Sequence, residues 1–334
     1  MRTNVIGGEG LTSRGVTNSL GVLRPILADN ATITDMFTTN ATLRKDEWER
    51  IDERVNEVLR ERLTVADDLR SRGLITPVSL GTILRVTERS DQMDAAELTF
   101  DGDTAPPRDR PAFLRDTIPV PVLSKDFTIG WRQLDASRTR GEPLDTTAAE
   151  QATRKVRDRL QSVITNGYGA GPAGNVIPGL TTAANRQTID LVSVWDGSGA
   201  DPIADVVAML EAAYAVNLSG PFVLYLPKNY WALVQQDYNT QKGDRTFLER
   251  MQAFADVDAV RPLDALADDN VTLVQMTRDT LDLSEAAAIT TVQWEKNPWT
   301  TNFRVMMVGG PQIKNMQTDT GTTVHGIIHL RPAP

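Results

Sequence analysis

A polar stretch interrupted by prolines, between two runs of β-favouring residues, constrains the fold of this chain most. Residues 101–112 have the sequence Asp-Gly-Asp-Thr-Ala-Pro-Pro-Arg-Asp-Arg-Pro-Ala. Proline cannot donate to a β-ladder, so this stretch is predicted to be a loop or a hairpin tip. The runs 82–88 and 97–100 precede it, and apolar residues alternate with prolines over 118–122, which is typical of an edge strand. Because a two-stranded projection is marginal in isolation, we expect it to lie on a neighbour, as part of an assembly.

Composition excludes several classes of protein. The 334 residues are 40% hydrophobic and 24% charged, which predicts a globular chain with a sizeable core. No apolar run approaches the ~18 residues of a membrane span, and the N-terminus has no apolar region typical of a secretory signal. With no cysteine, the chain has neither disulfides nor thiolate metal sites, and folding in a reducing cytoplasm is expected. The net charge of −9 lacks the basic footprint of a nucleic-acid-binding protein.

The first 63 residues divide into an arm and a helix. Residues 1–43 have scattered apolar side chains, among them Leu23 and Ile26, but too few to fold alone. This arm is predicted to be disordered or to lie across a partner. Residues 44–63 have one apolar stripe at intervals of three and four, which predicts a helix, and their charged face is predicted to be solvated.

The remaining elements follow from local patterns. Thr147 and Glu150 have the spacing of a capping box, and Asn166-Gly167 ends the apolar stripe, so a long helix is predicted over 147–165. From Asp201 the pattern becomes α/β. Further helices are predicted over 202–216, 228–238 and 246–254. Strands are predicted over 188–194, 222–226, 271–276, 288–294, 303–308, 311–317 and 323–330, with a hairpin turn at 318–321.

No constellation in the sequence predicts catalysis, a cofactor or a metal. Residues 169–174 fit the letters G-x-G-x-x-G, but a helix precedes them, whereas a dinucleotide site needs a strand before and a helix after. His325 and His329 are predicted on one face of the C-terminal strand, as surface or interface histidines. The acidic pairs Asp67-Asp68 and Asp268-Asp269 are predicted to lie on the surface. The leading class is therefore a structural protein that forms assemblies, not an enzyme.

Segments in a fixed order between residues 43 and 331 carry a family resemblance. The first contains Trp48-Glu-Arg-Ile-Asp52, and a later one is Gly167-Tyr-Gly-Ala-Gly171 ending in Pro178-Gly-Leu180. The chain resembles the superfamily of encapsulins and tailed-phage major capsid proteins, which shares the Hong Kong 97-type fold. The matching segments are 43–59, 119–129, 134–141, 147–166, 167–180, 221–231 and 323–330.

The resemblance implies an α+β capsid fold with a defined order of parts. It implies an N-terminal arm, an extended β-hairpin loop, a peripheral domain with a long spine helix and an axial α/β domain. The corresponding segments are the arm 1–43, the N-terminal helix region 44–72, the extended loop 73–129 with its tip at 101–112, the peripheral domain 130–200 with the spine helix 147–165, the axial domain 201–300 and the C-terminal peripheral strands 301–334.

The same resemblance implies a function. The chain is expected to form the icosahedral head of a tailed double-stranded DNA virus, through pentamers and hexamers of itself, after assembly in the host cytoplasm. Scaffolding, portal and decoration proteins are possible partners, and the packaged DNA is expected to be enclosed with weak direct binding. The alternative is an encapsulin-like compartment that encloses cargo enzymes. Candidate inter-subunit residues are Arg108, Arg110 and Phe113 in the loop and Leu23 and Ile26 in the arm.

Overall fold

The fold is taken from a computed structural model of the chain. It describes residues 51, 55, 64–90, 93, 98, 100, 110–133, 136, 146–197, 199–237, 245–297, 300–318 and 321–333. The predicted arm and most of the first predicted helix lie outside the described residues. Ile51 and Val55, the two described members of that helix's apolar stripe, are helical and buried.

Five α-helices have both ends among the described residues, besides a 3-10 turn at Pro172–Gly174. They are α1 (Thr64–Ser71), α2 (Thr147–Asn166), α3 (Pro202–Ala215), α4 (Lys228–Leu233) and α5 (Phe247–Gln252). The start of α3 shows how sequence sets a boundary: the Asp201 carboxylate accepts hydrogen bonds from the backbone N–H groups of Ile203 and Ala204, and Pro202 occupies the first helical position.

Thirteen strands form four sheets in the same residues. The strands are β1 (Ile75–Pro77), β2 (Leu84–Ser90), β3 (Phe113–Pro119), β4 (Val122–Gly130), β5 (Gln187–Leu191), β6 (Phe222–Leu226), β7 (Val257–Pro262), β8 (Val271–Gln275), β9 (Leu281–Asn297), β10 (Thr300–Ile313), β11 (Met316–Gln317), β12 (Thr323–Val324) and β13 (Ile327–Pro332). The sheet orders are β1-β9-β10-β4, β5-β13-β8-β6-β7, β2-β3 and β11-β12.

Most element predictions are confirmed, and those for 97–100 and 228–238 are wrong. The strand predicted over 323–330 is divided into β12 and β13, and β10 covers the strand predicted over 303–308 and the start of the one predicted over 311–317. The helix predicted over 147–165 and the strand predicted over 222–226 are α2 and β6. Leu98 and Phe100, the described residues of the strand predicted over 97–100, are not in a strand. The helix predicted over 228–238 ends at Leu233, because the chain turns there and pairs Asp237 with Thr246 in an isolated bridge.

The described residues belong to two compact units. The first takes its residues from 1–56, 126–151 and 291–304. Phe127 and Phe303 stack inside it with their ring centroids 5.0 Å apart, and Phe303 is fully buried. Arg304 binds both carboxylate oxygens of Asp126, at 2.7 and 2.8 Å, and covers the Trp294 ring at 5.2 Å.

The second unit takes its residues from 57–125, 152–290 and 305–334 and contains the five-stranded mixed sheet. β6 is parallel to β7 and antiparallel to β8, while β13 is antiparallel to β8 and parallel to β5. All five residues of β6 are buried, as expected for a central strand covered on both faces. Helix α3 packs on β5 and β13, and α5 packs on β7. This sheet joins strands from the predicted segments 130–200, 201–300 and 301–334, whose boundaries stay predictions.

Candidate inter-subunit interface

Strands β2 and β3 form an antiparallel hairpin that stands apart as a sheet of its own. Its register runs from the pair Leu84–Pro119 at the root to the pair Ser90–Phe113 at the outer end. Directly opposed residues share a face, so Val86 and Phe113 lie on one face with Glu88 and Arg115. Side chains on one strand alternate between faces, so Arg85 lies on the opposite face, which is less exposed.

The hairpin and its flanks expose an unusual amount of apolar surface. Phe113 is 69% exposed and Val86 is 52% exposed. Among the described residues, nine of the sixteen large apolar side chains that are exposed lie between positions 80 and 122. They are Leu80, Ile83, Val86, Met93, Leu98, Phe100, Phe113, Leu114 and Val122. A concentration of exposed apolar side chains in one segment is typical of an interaction site, because each side chain would lose unfavourable contact with water on docking.

Charged residues join the two strands of the hairpin, and one of them also ties the hairpin to the rest of the second unit. On the open face, Arg115 donates a hydrogen bond of 2.8 Å to Glu88 across the two strands. On the opposite face, the Arg89 guanidinium lies 3.5 Å from the Asp116 carboxylate and donates to the Thr323 hydroxyl at 3.1 Å. The two faces therefore differ in role: one is anchored by arginine, and the other presents apolar side chains.

The strongest anchor is at the root. Arg85 makes a two-pronged contact with Asp282, with Nη1 to Oδ1 at 2.6 Å and Nη2 to Oδ2 at 3.0 Å. Nζ of Lys314 lies 3.0 Å from Oδ2 of the same carboxylate, whose side chain is 1% exposed. Burial would raise the pKa of the Asp282 carboxyl, but the hydrogen bonds from Arg85 and Lys314 outweigh burial and hold that pKa below its usual range.

The described candidates for inter-subunit contacts lie at the outer end of this hairpin. Phe113 is the first residue of β3, and Arg110 is an exposed residue three positions before it. Arg108, Leu23 and Ile26 lie outside the described residues. The role of all five in contacts between subunits stays a prediction. Sequence reasoning missed Arg85 and Asp282, since no local pattern connects residues 197 positions apart.

The prediction of surface histidines on one strand face is wrong. His325 precedes β13 and His329 lies within it, and both are 4% exposed. Burial lowers the pKa of each imidazole to about 4, with a further lowering by the Arg186 guanidinium. The local sequence could not reveal this burial, because the residues that cover the two rings come from distant segments.

Hydrogen bonds indicate the tautomer of His329. Arg186 donates to Nδ1 of His329 at 3.2 Å, so that nitrogen is the acceptor. Nε2 then carries the proton and donates to Oδ1 of Asn270 at 2.9 Å. Nε2 of His325 contacts Oδ1 of Asn315 at 2.7 Å. Both imidazoles are thus neutral parts of the interior at neutral pH.

The prediction that Asp67-Asp68 is a surface pair is also wrong for Asp68. Its carboxylate is buried, accepts a 2.8 Å hydrogen bond from the Tyr225 hydroxyl and lies 3.0 Å from Nε of Arg261. Burial raises the pKa of Asp68 despite these two partners.

Within the described residues, no group of histidines and carboxylates is arranged to hold a metal ion. No helix among them has the length and apolar character needed to cross a bilayer.

The anchored hairpin, the long helix α2 and the mixed sheet can be compared with known proteins. Residues 33–326 match DUF6260, a family of unknown function. The chain belongs to this family. This DUF6260 protein is also 26% identical over 249 residues to the type 1 encapsulin shell protein EncA of Myxococcus xanthus, covering 72% of the chain and 80% of that relative.

Solved structures show the fold of this DUF6260 protein. The virus-like particle of Pyrococcus furiosus has a TM-score of 0.62 at 15% identity, covering 85% of this chain and 98% of the other. The capsid of Myoviridae phage XM1 has a TM-score of 0.54 at 13% identity, covering 79% and 91%. The resemblance to encapsulins and tailed-phage capsid proteins, with their Hong Kong 97-type fold, is therefore confirmed. The structure is a mixed α/β member of that fold.

Proposed function

We propose that this chain is a major capsid protein that self-assembles into the icosahedral head of a tailed double-stranded DNA virus. The observation that carries the proposal is the hairpin of β2 and β3, which is anchored by Arg85 on one face and exposes Val86 and Phe113 on the other, in a fold shared with shell-forming proteins. A closed shell needs a contact in which one surface of each subunit meets a different surface of the next. A projecting hairpin supplies that contact.

The apolar face gives the contact its driving force. Burial of apolar area contributes roughly 25 cal/mol per Å² before the entropic cost of association is subtracted. Val86 and Phe113 of this face are exposed in the single subunit, so their burial would occur only on assembly. In this proposal, residues 101–112 extend the hairpin over the neighbour, and Arg108 and Arg110 make polar contacts at its tip.

A second candidate is an encapsulin-like shell that encloses cargo enzymes. The observation that favours it is the sequence similarity to EncA over 72% of this chain. The virus candidate is favoured by the residues 1–43 that precede the first predicted helix, because such an arm can clasp a neighbouring subunit. In both candidates the chain is a structural protein and not an enzyme.

The partners follow from the virus candidate. The subunits would form pentamers and hexamers in the host cytoplasm and become part of the virion, with separate scaffolding, portal and decoration proteins. The net charge of −9 predicts weak direct binding of DNA, since phosphates are repelled and the closed wall retains the genome. A nanomolar, salt-sensitive gel shift by the unassembled subunit would contradict this part of the proposal.

Electron microscopy of the purified recombinant chain tests the function. Closed or partly closed shells would support it, and monomers or small oligomers under crowded, high-salt conditions would overturn it. Large or polymorphic shells that become uniform with a scaffold would favour the viral head. Small uniform shells that take up a cargo enzyme on co-expression would favour the encapsulin-like compartment.

A further inference from the structure

We infer that Arg85 is a positioning residue that fixes the direction in which the hairpin leaves the subunit. This inference rests on the proposed function and names the group that sets the geometry of the assembly contact. Arg85 is the second residue of β2, next to the root pair Leu84–Pro119. Because Arg85 lies near the root, a change in its position would change the direction of the whole hairpin beyond it.

The contact of Arg85 defines an orientation and not only a distance. Its guanidinium binds both oxygens of Asp282, and Nη1 also donates to the Ser284 hydroxyl at 2.8 Å. A planar fork on a carboxylate fixes the plane of both groups, which a single point charge does not do. Asp282 and Ser284 are two residues apart in β9, so their side chains lie on the same face of that strand. The Arg85 guanidinium that contacts both is therefore aligned along β9.

The acceptor is itself held rigidly. Oδ2 of Asp282 accepts a hydrogen bond from Thr76 at 3.0 Å, and Nζ of Lys314 lies at the same distance. Thr76 belongs to β1, which pairs in parallel with β9 through Thr76 and Ser284. The carboxylate is thus buried between neighbouring strands and cannot turn with the hairpin. A buried, multiply bonded ion cluster of this kind specifies one geometry because the alternatives leave charges without partners.

The length of the hairpin makes this orientation matter. Seven residues of β2 at ~3.3 Å each give a lever of about 20 Å. A rotation of about 5° at the root would displace Phe113 by about 2 Å, which is enough to spoil packing at an interface. Farther out on the same face as Arg85, Arg89 donates one hydrogen bond to Thr323 of β12. Two cavities of about 550 and 520 Å³ border Asp116 of β3. Ile118, which opposes Arg85 in the register, is also buried at the root, and the face beyond it borders these cavities.

The variant Arg85→Gln tests the inference, with Arg261→Gln as the matched control. Each variant removes an arginine from a buried aspartate that keeps another partner. In Arg85→Gln, Asp282 keeps its contacts with Lys314 and Thr76. In Arg261→Gln, Asp68 keeps its hydrogen bond from Tyr225. Only Arg85 connects its aspartate to the hairpin. Hydrogen exchange of the unassembled subunit is the first readout, and shell diameter by electron microscopy is the second.

In Arg85→Gln we expect exchange at 84–90 and 113–119 to accelerate about tenfold, while α2 and β6 keep their protection. Shells should become heterogeneous in diameter or remain open. Arg261→Gln should change neither property. Arg85→Lys retains the charge but not the fork, so its exchange should be intermediate.

The inference would be overturned if hydrogen exchange of the hairpin were unchanged in Arg85→Gln, or if exchange accelerated equally throughout the chain. Wild-type exchange in Arg85→Lys would overturn it as well. If Arg85→Gln does not fold, Ser284→Ala removes one acceptor of the fork and must still accelerate hairpin exchange selectively. A wild-type chain that forms no shells would overturn the proposed function alone, because the exchange experiment does not require assembly.

Discussion

The backbone of Gly179 lies so close to Gly167 that a Cβ atom on Gly179 would be 2.2 Å from the Gly167 nitrogen. Gly167 ends α2 with a φ of +69°, and its neighbour Tyr168 exchanges two backbone hydrogen bonds of 2.8 Å with Ile177. The loop that leaves the long helix thus folds back onto the helix end. Side chains at either glycine would prevent this return.

Gly179→Ala is expected to lower the free energy of unfolding by about 1–3 kcal/mol or more, since the atoms that the methyl group would meet are backbone. Urea denaturation of the purified subunit measures the change. Gly169→Ala is the matched control, because a Cβ there meets nothing within 4 Å, and it should change stability by less than about 0.5 kcal/mol. Equal effects of the two substitutions would contradict the close approach.

Stability is expected to fall on mild acidification because of the buried histidines. The folded-state pKa of His325 and His329 is about 4, below the unfolded value of 6.5, so the unfolded chain binds more protons between these values. The stabilisation is complete above pH 6.5 and decreases as the pH falls toward 4, by about 1 kcal/mol per pH unit for each histidine.

Urea denaturation at intervals from pH 7 to pH 5 measures this dependence. His329→Gln removes one titrating group and should decrease the slope by about half. If the slope of the variant equals that of the wild-type chain, His329 does not titrate as its burial implies.

Local patterns predicted α2 and β6 because their signals lie within one segment. Thr147, Glu150 and the glycine at 167 delimit the helix, and an unbroken apolar run marks the buried strand. The anchors of the candidate interface were missed for the opposite reason. Asp282 acquires its role from Arg85 and Lys314, which come from other strands, and only the folded chain brings these charges together.

The burial of polar residues was missed in the same way. Asp68 lies on the buried face of helix α1 with Val65 and Leu69, and its partner Tyr225 is 157 residues away. A carboxylate in a short acidic run is usually solvated, so the sequence favoured the surface. The short helix α4 shows the remaining kind of error, since an apolar stripe does not indicate where tertiary contacts end a helix.

Removal of the aromatic ring at the outer end of the hairpin should impair assembly without unfolding the subunit. Phe113 is 69% exposed, so Phe113→Ser should change the melting temperature of the unassembled chain little, while fewer shells form at a given concentration. Light scattering measures assembly, and calorimetry measures melting. Val192→Ser, at an exposed valine outside the hairpin, is the control and should leave both unchanged. Equal loss of shells in both variants would mean that Phe113 has no special role.

Loss of the Tyr225 hydroxyl should destabilise the second unit in a pH-dependent way. Tyr225→Phe removes a hydrogen bond from the buried Asp68 carboxylate, which we expect to cost about 1–3 kcal/mol at pH 7. The hydroxyl lowers the pKa of Asp68, so the variant raises that pKa further. The deficit should therefore shrink as the pH falls and Asp68 becomes neutral.

Chemical denaturation of both chains at intervals from pH 7 downward, as far as the chains stay folded, measures this difference. Tyr168→Phe removes a hydroxyl from a partly exposed ring and should be neutral throughout. A deficit for Tyr225→Phe that does not decrease anywhere in that range would contradict the assigned partner.

The position of β13 has a consequence for the order of events during synthesis. β13 lies between β5 and β8, and it is the only sheet neighbour of β5 among the described strands. β5 leaves the ribosome some 140 residues before that partner exists. Until residues 327–332 have been made, β8 has an open edge and α3 lacks part of the surface on which it packs. A nascent chain therefore cannot complete this sheet, or present the body to which the hairpin is attached, before residues 327–332 have left the ribosome.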